Sequence, residues 1–214
     1  RKPYMSEILT DKKLSEIETR TVSHYNDNAL SFWEGTRDHD VSQNYDSFLS
    51  AFDLNQKVDI LDFGCGPGRD LAYFKALGHR AVGLDGSLKF CRIAQNDTGC
   101  SVLHQSFLSL DLQLRRFDGI FANASLFHIP RQELPRILLQ LHSALRPGGI
   151  LFSSNPRGNS EQFSGERYGH FMEFEVSSSY LKNAGFKVID HYYRPKGSLC
   201  AEQPWLAILS QKVD

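Results

Sequence analysis

Ile60-Leu61-Asp62-Phe63-Gly64-Cys65-Gly66-Pro67-Gly68-Arg69-Asp70 decides the architecture of this 214-residue chain. Residues 58–63 form a short apolar run that reads as a buried parallel strand. The run enters a turn of three alternating glycines, and the spacing predicts a helix over residues 69–77. Glycine belongs where backbone turns sharply or meets a ligand closely. The helix start beyond it presents N–H groups with no partner inside the helix. At the carboxyl ends of parallel strands, such a turn builds a ligand crevice. Val82-Gly83-Leu84-Asp85 follows at the end of a second strand, where a carboxylate can accept hydrogen bonds from both hydroxyls of a ribose. The other use for Asp85 is to cap the helix that follows it. The loop reads GxGxG, whereas a dinucleotide fold needs GxGxxG, and Arg69 stands in the place of the last glycine. A pyrophosphate wants a closer helix approach than Arg69 permits, which argues against a nicotinamide enzyme.

Working outward, strand and helix signals alternate. Strands are predicted over residues 81–84, 101–104, 117–122 and 150–154, with helices over 88–95 and 132–145. Pro147-Gly148-Gly149 reads as the stop signal of the second of these helices. A helix over residues 177–184 and strands over 187–193 and 205–210 close the chain. The expected fold is α/β: a doubly wound, mostly parallel, seven-stranded sheet with an antiparallel edge hairpin. Helices predicted over 11–32 and 42–52 make residues 1–52 an N-terminal lid or arm on a core of residues 53–214, in one domain.

The formal net charge is −1 and there is no Lys/Arg block, so a nucleic-acid partner is not expected. No apolar run approaches the ~20 residues that span a bilayer, and no charged-then-apolar leader opens the chain. The four cysteines, Cys65, Cys91, Cys100 and Cys200, form no CxxC pair and read as reduced thiols of a cytoplasmic protein. Asp38-His39-Asp40 reads as a solvated charge cluster, and no metal is expected. The chain opens on Arg1 without methionine, which fits either trimming of a polar leading arm or excision from a longer polypeptide.

The glycine loop with its acidic start, Asp62, resembles motif I of the class I S-adenosylmethionine-dependent methyltransferases. Phe117 to Ala124 resembles the family's segment at the end of strand four, and Leu145 to Gly149 its turn before strand five. The resemblance implies a cofactor site made by Asp62, Gly64, Cys65, Gly66, Gly68, Arg69, Asp70, Asp85, Gly86 and Ser87. To these it adds Asn123 and Ala124, with Tyr25, Trp33, Thr36 and Arg37 from the N-terminal segment. Gln105, Ser106 and Phe107 fall where the family contacts adenine. An acidic residue often stands in the place of Ser106, so Gln105 or backbone groups would substitute. Tyr25, Trp33 and Phe127 would shield the sulfonium from water and favour its charge.

The ends of strands four and five face the transferred methyl in this layout. That points to Phe127, His128, Asn155 and Arg157, joined by Arg167 and Tyr168, as substrate contacts. Asn123-Ala124-Ser125-Leu126 departs from the Asn/Asp-Pro-Pro-aromatic motif of base methyltransferases, which argues against a nucleic-acid base as acceptor. His128 or Asn155 would orient or deprotonate the nucleophile, and Arg157 and Arg167 would clamp a carboxylate. Residues 31–44, 60–70, 121–128, 154–158, 167–169 and 203–205 together resemble the methyltransferase domain of the ovothiol synthases. That resemblance implies N-methylation of 5-thiohistidine at the side-chain-proximal imidazole nitrogen, giving ovothiol A. It also implies covalent linkage to an N-terminal iron-dependent sulfoxide synthase domain. Another small hydroxyl, thiol or amine acceptor stays open, as does a non-catalytic cofactor-binding module.

Overall fold

The computed structural model describes residues 8–53, 55–199 and 202–213; Arg1 to Tyr4 and Cys200 lie outside the described residues. Strands β1 (Asp59–Phe63), β2 (Arg80–Asp85), β3 (Val102–His104), β4 (Phe117–Asn123) and β5 (Leu145–Pro156) run parallel. Strands β8 (Phe186–Arg194) and β9 (Trp205–Lys212) complete a sheet of order β3-β2-β1-β4-β5-β9-β8. Strand β9 is antiparallel to both of its neighbours. This is the expected seven-stranded, mostly parallel sheet with its antiparallel edge hairpin.

Strand alternation sends successive side chains to opposite faces, and the core divides accordingly. Leu61, Ile120 and Leu151 pack with α6 (Leu134–Ala144) and α7 (Phe174–Asn183) on one face. Ile60, Phe121 and Phe152 pack on the other with Tyr45 and Phe48 of α3 (Ser42–Leu49) and Phe74 of α4 (Arg69–Ala76). Phe121 and Phe152 stack at 4.8 Å between ring centres. Helix α5 (Leu88–Thr98) follows β2, capped by the Ser87 hydroxyl, which accepts from Phe90 N–H.

Three expectations need correction. The helix predicted over residues 11–32 is two helices, α1 (Asp11–Asp27) and α2 (Ala29–Thr36). Asn28 separates them, its side-chain amide donating to the His24 carbonyl at 2.8 Å. Pro147-Gly148-Gly149 does not stop α6: the helix ends at Ala144, and Leu145 already pairs with Phe117. Gly148, at φ 71°, lets β5 bulge so that pairing resumes at Gly119 and Ile150. A separate hairpin, β6 (Ser160–Ser164) with β7 (Arg167–Phe171), had no sequence signal. Every residue of β6 is exposed, so no apolar alternation marks it. The hairpin is tied to α1, where Arg20 pairs with Glu166 and the Thr21 hydroxyl accepts from Tyr168 N–H at 3.0 Å.

Candidate active site

The turn after β1 is held to β2 by its backbone. Gly64 and Cys65 N–H groups both donate to the Leu84 carbonyl, at 2.8 and 3.0 Å. Gly64, Gly66 and Gly68 all have positive φ, at 76°, 53° and 100°. A Cβ on Gly64 would lie 2.4 Å from Ser125 Cβ, and one on Gly68 would lie 2.9 Å from Ala94 Cβ. Gly66 differs: its nearest neighbour would be Phe32, 4.0 Å away, so this backbone borders open space. Asp85 receives Gly66 N–H at 2.9 Å on one oxygen and Ser87 N–H at 2.8 Å on the other. Ser87, not Asp85, caps α5 through its side chain. Burial pushes the Asp85 carboxyl up to about 6, against the N–H donors that favour its charge.

The loop opens into a cavity of about 620 Å³, the size of a small-molecule site. Its floor is the end of β1 and β4, and its cover is α1, α2 and Trp205. Ala124, at the floor, holds φ 61°, a left-handed conformation unusual for alanine and typical of functional loops. A buried polar network joins cover to floor. Asp70 accepts from Tyr45 (2.6 Å), Arg69 (2.7 Å) and Asn123 (3.0 Å). Arg69 also donates to the Thr36 carbonyl at 3.0 Å, and Asn44 donates to Asn123 at 3.2 Å. The Tyr192 hydroxyl donates to Asn44 at 2.9 Å, bringing in β8. Asp62 lies beneath, buried, with one carboxyl oxygen unpartnered. Burial, with Asp70 close by, holds its carboxyl well above the usual range.

At the opposite wall stands His128, in a short 3₁₀ turn after β4. Its Nδ1 lies 2.7 Å from the Tyr168 carbonyl oxygen, which can only accept. Nδ1 therefore carries the proton, and Nε2 accepts from the Tyr25 hydroxyl at 2.9 Å. Burial lowers the His128 pKa to about 4, so the imidazole is neutral near pH 7. The Tyr25 hydroxyl is raised by burial, opposed by a hydrogen bond from Arg167.

Tyr25, Trp33, Thr36, Gly64, Cys65, Gly66, Arg69, Asp70, Asp85, Gly86, Phe107, Asn123 and Ala124 line this cavity, as do Phe127, His128 and Arg167. Other expected contacts point elsewhere. Arg37 pairs with Asp38 in solvent, Gly68 is packed against Ala94, and Ser87 is spent on its helix. The Gln105 amide folds onto the Asp111 backbone, and Ser106 donates to Glu18 at 2.7 Å. Asn155 accepts from Phe127 N–H at 3.2 Å and stands outside the cavity wall, as a support for the loop. Arg157 turns away to Glu173 at 3.0 Å and lies over the Tyr193 ring. The Tyr168 ring is buried with its hydroxyl on Glu161, so only its backbone serves the site. Glu18, Arg194 and Trp205 line the cavity without having been singled out. Two come from the antiparallel strands β8 and β9 and one from α1, a convergence that no local spacing encodes.

Among the described residues no group of three or more His, Cys, Asp or Glu side chains is arranged to hold a metal. No described helix is long and apolar enough to cross a membrane. The open backbone at Gly66 and the half-buried Asp85, flanked by Phe107 and Tyr25, fit an adenosyl group with a small thioether or sulfonium tail.

Residues 60–149 match the family model described as "Methyltransferase domain". A sterol 24-C-methyltransferase of Debaryomyces hansenii is 21% identical over 83% of this chain and 56% of its own length. A trans-aconitate 2-methyltransferase of Azoarcus sp. is 31% identical over 53% of this chain and 45% of its own length. The chain thus spans about half the length of the curated relatives it matches. Among solved structures, a 1,6-didemethyltoxoflavin-N1-methyltransferase of Burkholderia thailandensis, bound to S-adenosylhomocysteine, superposes with a TM-score of 0.77. The two are 22% identical, over 99% of this chain and 94% of that one. Residues 60–149 are thus similar to a methyltransferase domain, and the sheet order and overall fold are those of the S-adenosylhomocysteine-bound solved neighbour.

Proposed function

We propose that this domain transfers the methyl group of S-adenosylmethionine to a ring nitrogen of a small imidazole amino acid, 5-thiohistidine, forming ovothiol A. The observation that carries the reading is the fixed polarity of the Tyr25–His128 pair inside the cofactor cavity. When bound, S-adenosylmethionine supplies a methyl group on positively charged sulfur. The protein's task is positioning, which can supply roughly 7–11 kcal/mol. Tyr25 must donate to His128 and accepts from Arg167, which leaves one lone pair of its oxygen for a ligand N–H. An imidazole whose N–H donates to that oxygen keeps the lone pair on its other nitrogen, the state that attack requires. Arg167 at the same wall can hold a carboxylate. Phe127 and Trp33 exclude water. The solved neighbour that methylates N1 of a fused heterocycle supports a nitrogen acceptor.

The same reading makes the domain one part of a longer polypeptide that also carries an iron-dependent sulfoxide synthase. It works in the cytoplasm, in keeping with the free thiols of Cys65, Cys91 and Cys100. The test is incubation with labelled cofactor and a panel of 5-thiohistidine, histidine, phenols and thiols, followed by mass spectrometry. The expected label is on 5-thiohistidine nitrogen. Label on hydroxylated aromatics with none on thiohistidine would overturn the assignment.

A further inference from the structure

We infer that Glu18, on the covering helix α1, is the residue that reads the exocyclic amine of the cofactor's purine. The inference rests on the proposal that this cavity holds an adenosyl group. Sheet order sets the direction in which that group lies. The glycine loop sits over β1, and Asp85 ends β2. The next strand outward is β3. A nucleoside whose ribose is held at Asp85 therefore carries its base beyond β2, over the residues that follow β3. Phe107 and Leu108 line the cavity there, and Val22 of α1 lines it too, giving apolar surfaces for a planar ring. The Phe107 ring is pinned by stacking on Phe63 at 4.4 Å.

The polar side chains that follow β3, Gln105 and Ser106, already have partners. Gln105 is folded onto the Asp111 backbone. Ser106 gives its one hydroxyl proton to Glu18, lying 2.7 Å from both carboxylate oxygens. Leu108 N–H donates to the same carboxylate at 3.3 Å. Two donors thus fix Glu18 in place and leave about half of its acceptor capacity unused. Its side chain lines the cavity. A carboxylate so placed accepts an amine N–H and repels a carbonyl oxygen, so it separates a 6-amino purine from a 6-oxo purine.

The test is isothermal titration of the whole chain with S-adenosylhomocysteine and with S-inosylhomocysteine. The parent is expected to prefer the adenosyl compound by about 10- to 100-fold. Glu18→Ala is expected to bring that ratio near one, and Glu18→Gln, whose amide can donate to a 6-oxo group, to bring it to one or below. A merely structural role would weaken both ligands alike and leave the ratio unmoved. An unmoved ratio in both variants would overturn the inference while the cofactor reading stood. A parent that binds neither nucleoside would overturn both.

Discussion

His128 is held between a carbonyl that fixes its proton and a hydroxyl that occupies its lone pair. If that pair sets the substrate tautomer, Tyr25→Phe and His128→Gln will each lower kcat by about 10²-fold or more. Affinity for S-adenosylhomocysteine will stay within a few-fold in both. The same residue carries a pH signature. Its folded pKa is about 4 against an ordinary 6.5, so between these values the unfolded chain binds a proton that the folded chain refuses. The stability it contributes is complete above pH 6.5 and is lost as pH falls towards 4, by up to about 3 kcal/mol. Urea unfolding of the parent and His128→Phe will show their difference shrinking by that amount over this range. If Asp85 holds the ribose as proposed, its carboxyl, raised to about 6, is a full acceptor above that pH and a protonated acid below. Affinity for S-adenosylhomocysteine will fall by up to about tenfold per pH unit below 6, and Asp85→Asn will flatten the profile. Sequence places Asp85 as the last residue of β2 and His128 in the turn that follows β4, and both line the cavity. Asn155 in β5 and Arg157 just after it instead meet Phe127 N–H and Glu173: sequence gives a residue's place at a strand end and not what its side chain meets.

The turn between β1 and α4 has a requirement that distinguishes it from an ordinary glycine turn. Gly68 combines φ 100° with a neighbour that a Cβ would meet at 2.9 Å, Ala94 of α5. Gly165, in the β6–β7 hairpin, has φ 62° and nothing within 4 Å of a built Cβ. Alanine at Gly165 will cost about 1 kcal/mol of stability, and alanine at Gly68 about 3 kcal/mol, because overpacking adds to backbone strain. Thermal melts of the two variants measure the difference. Elements with apolar periodicity, such as α6 and the parallel strands, were readable to within a few residues. The β6–β7 hairpin was not, since β6 is exposed throughout and its stability comes from Arg20, Glu166 and Thr21 on or against α1. Interactions between distant segments leave no period in either one.

Across the molecule, the division into an arm of residues 1–52 and a core of 53–214 remains our proposal for how the cavity opens. Helices α1 and α2 cover a site whose floor is the loops at the ends of β1 and β4. Arg37, exposed at the end of α2, is the natural cleavage point in that cover. Saturating S-adenosylhomocysteine is expected to slow trypsin cleavage at Arg37 several-fold, read by mass spectrometry of the fragments. Equal rates with and without ligand would argue for a rigid entrance. The placement of β9 reaches beyond catalysis. It follows β8 in the chain, yet it lies inside the sheet, between β5 and β8. During translation the hydrogen-bonding edge of β5 stays bare until residues 205–212 leave the ribosome. Nascent chains stalled before that point offer a long, apolar, unpaired strand to one another. Termination before residue 205 should therefore yield inclusion bodies rather than a weakened but folded domain.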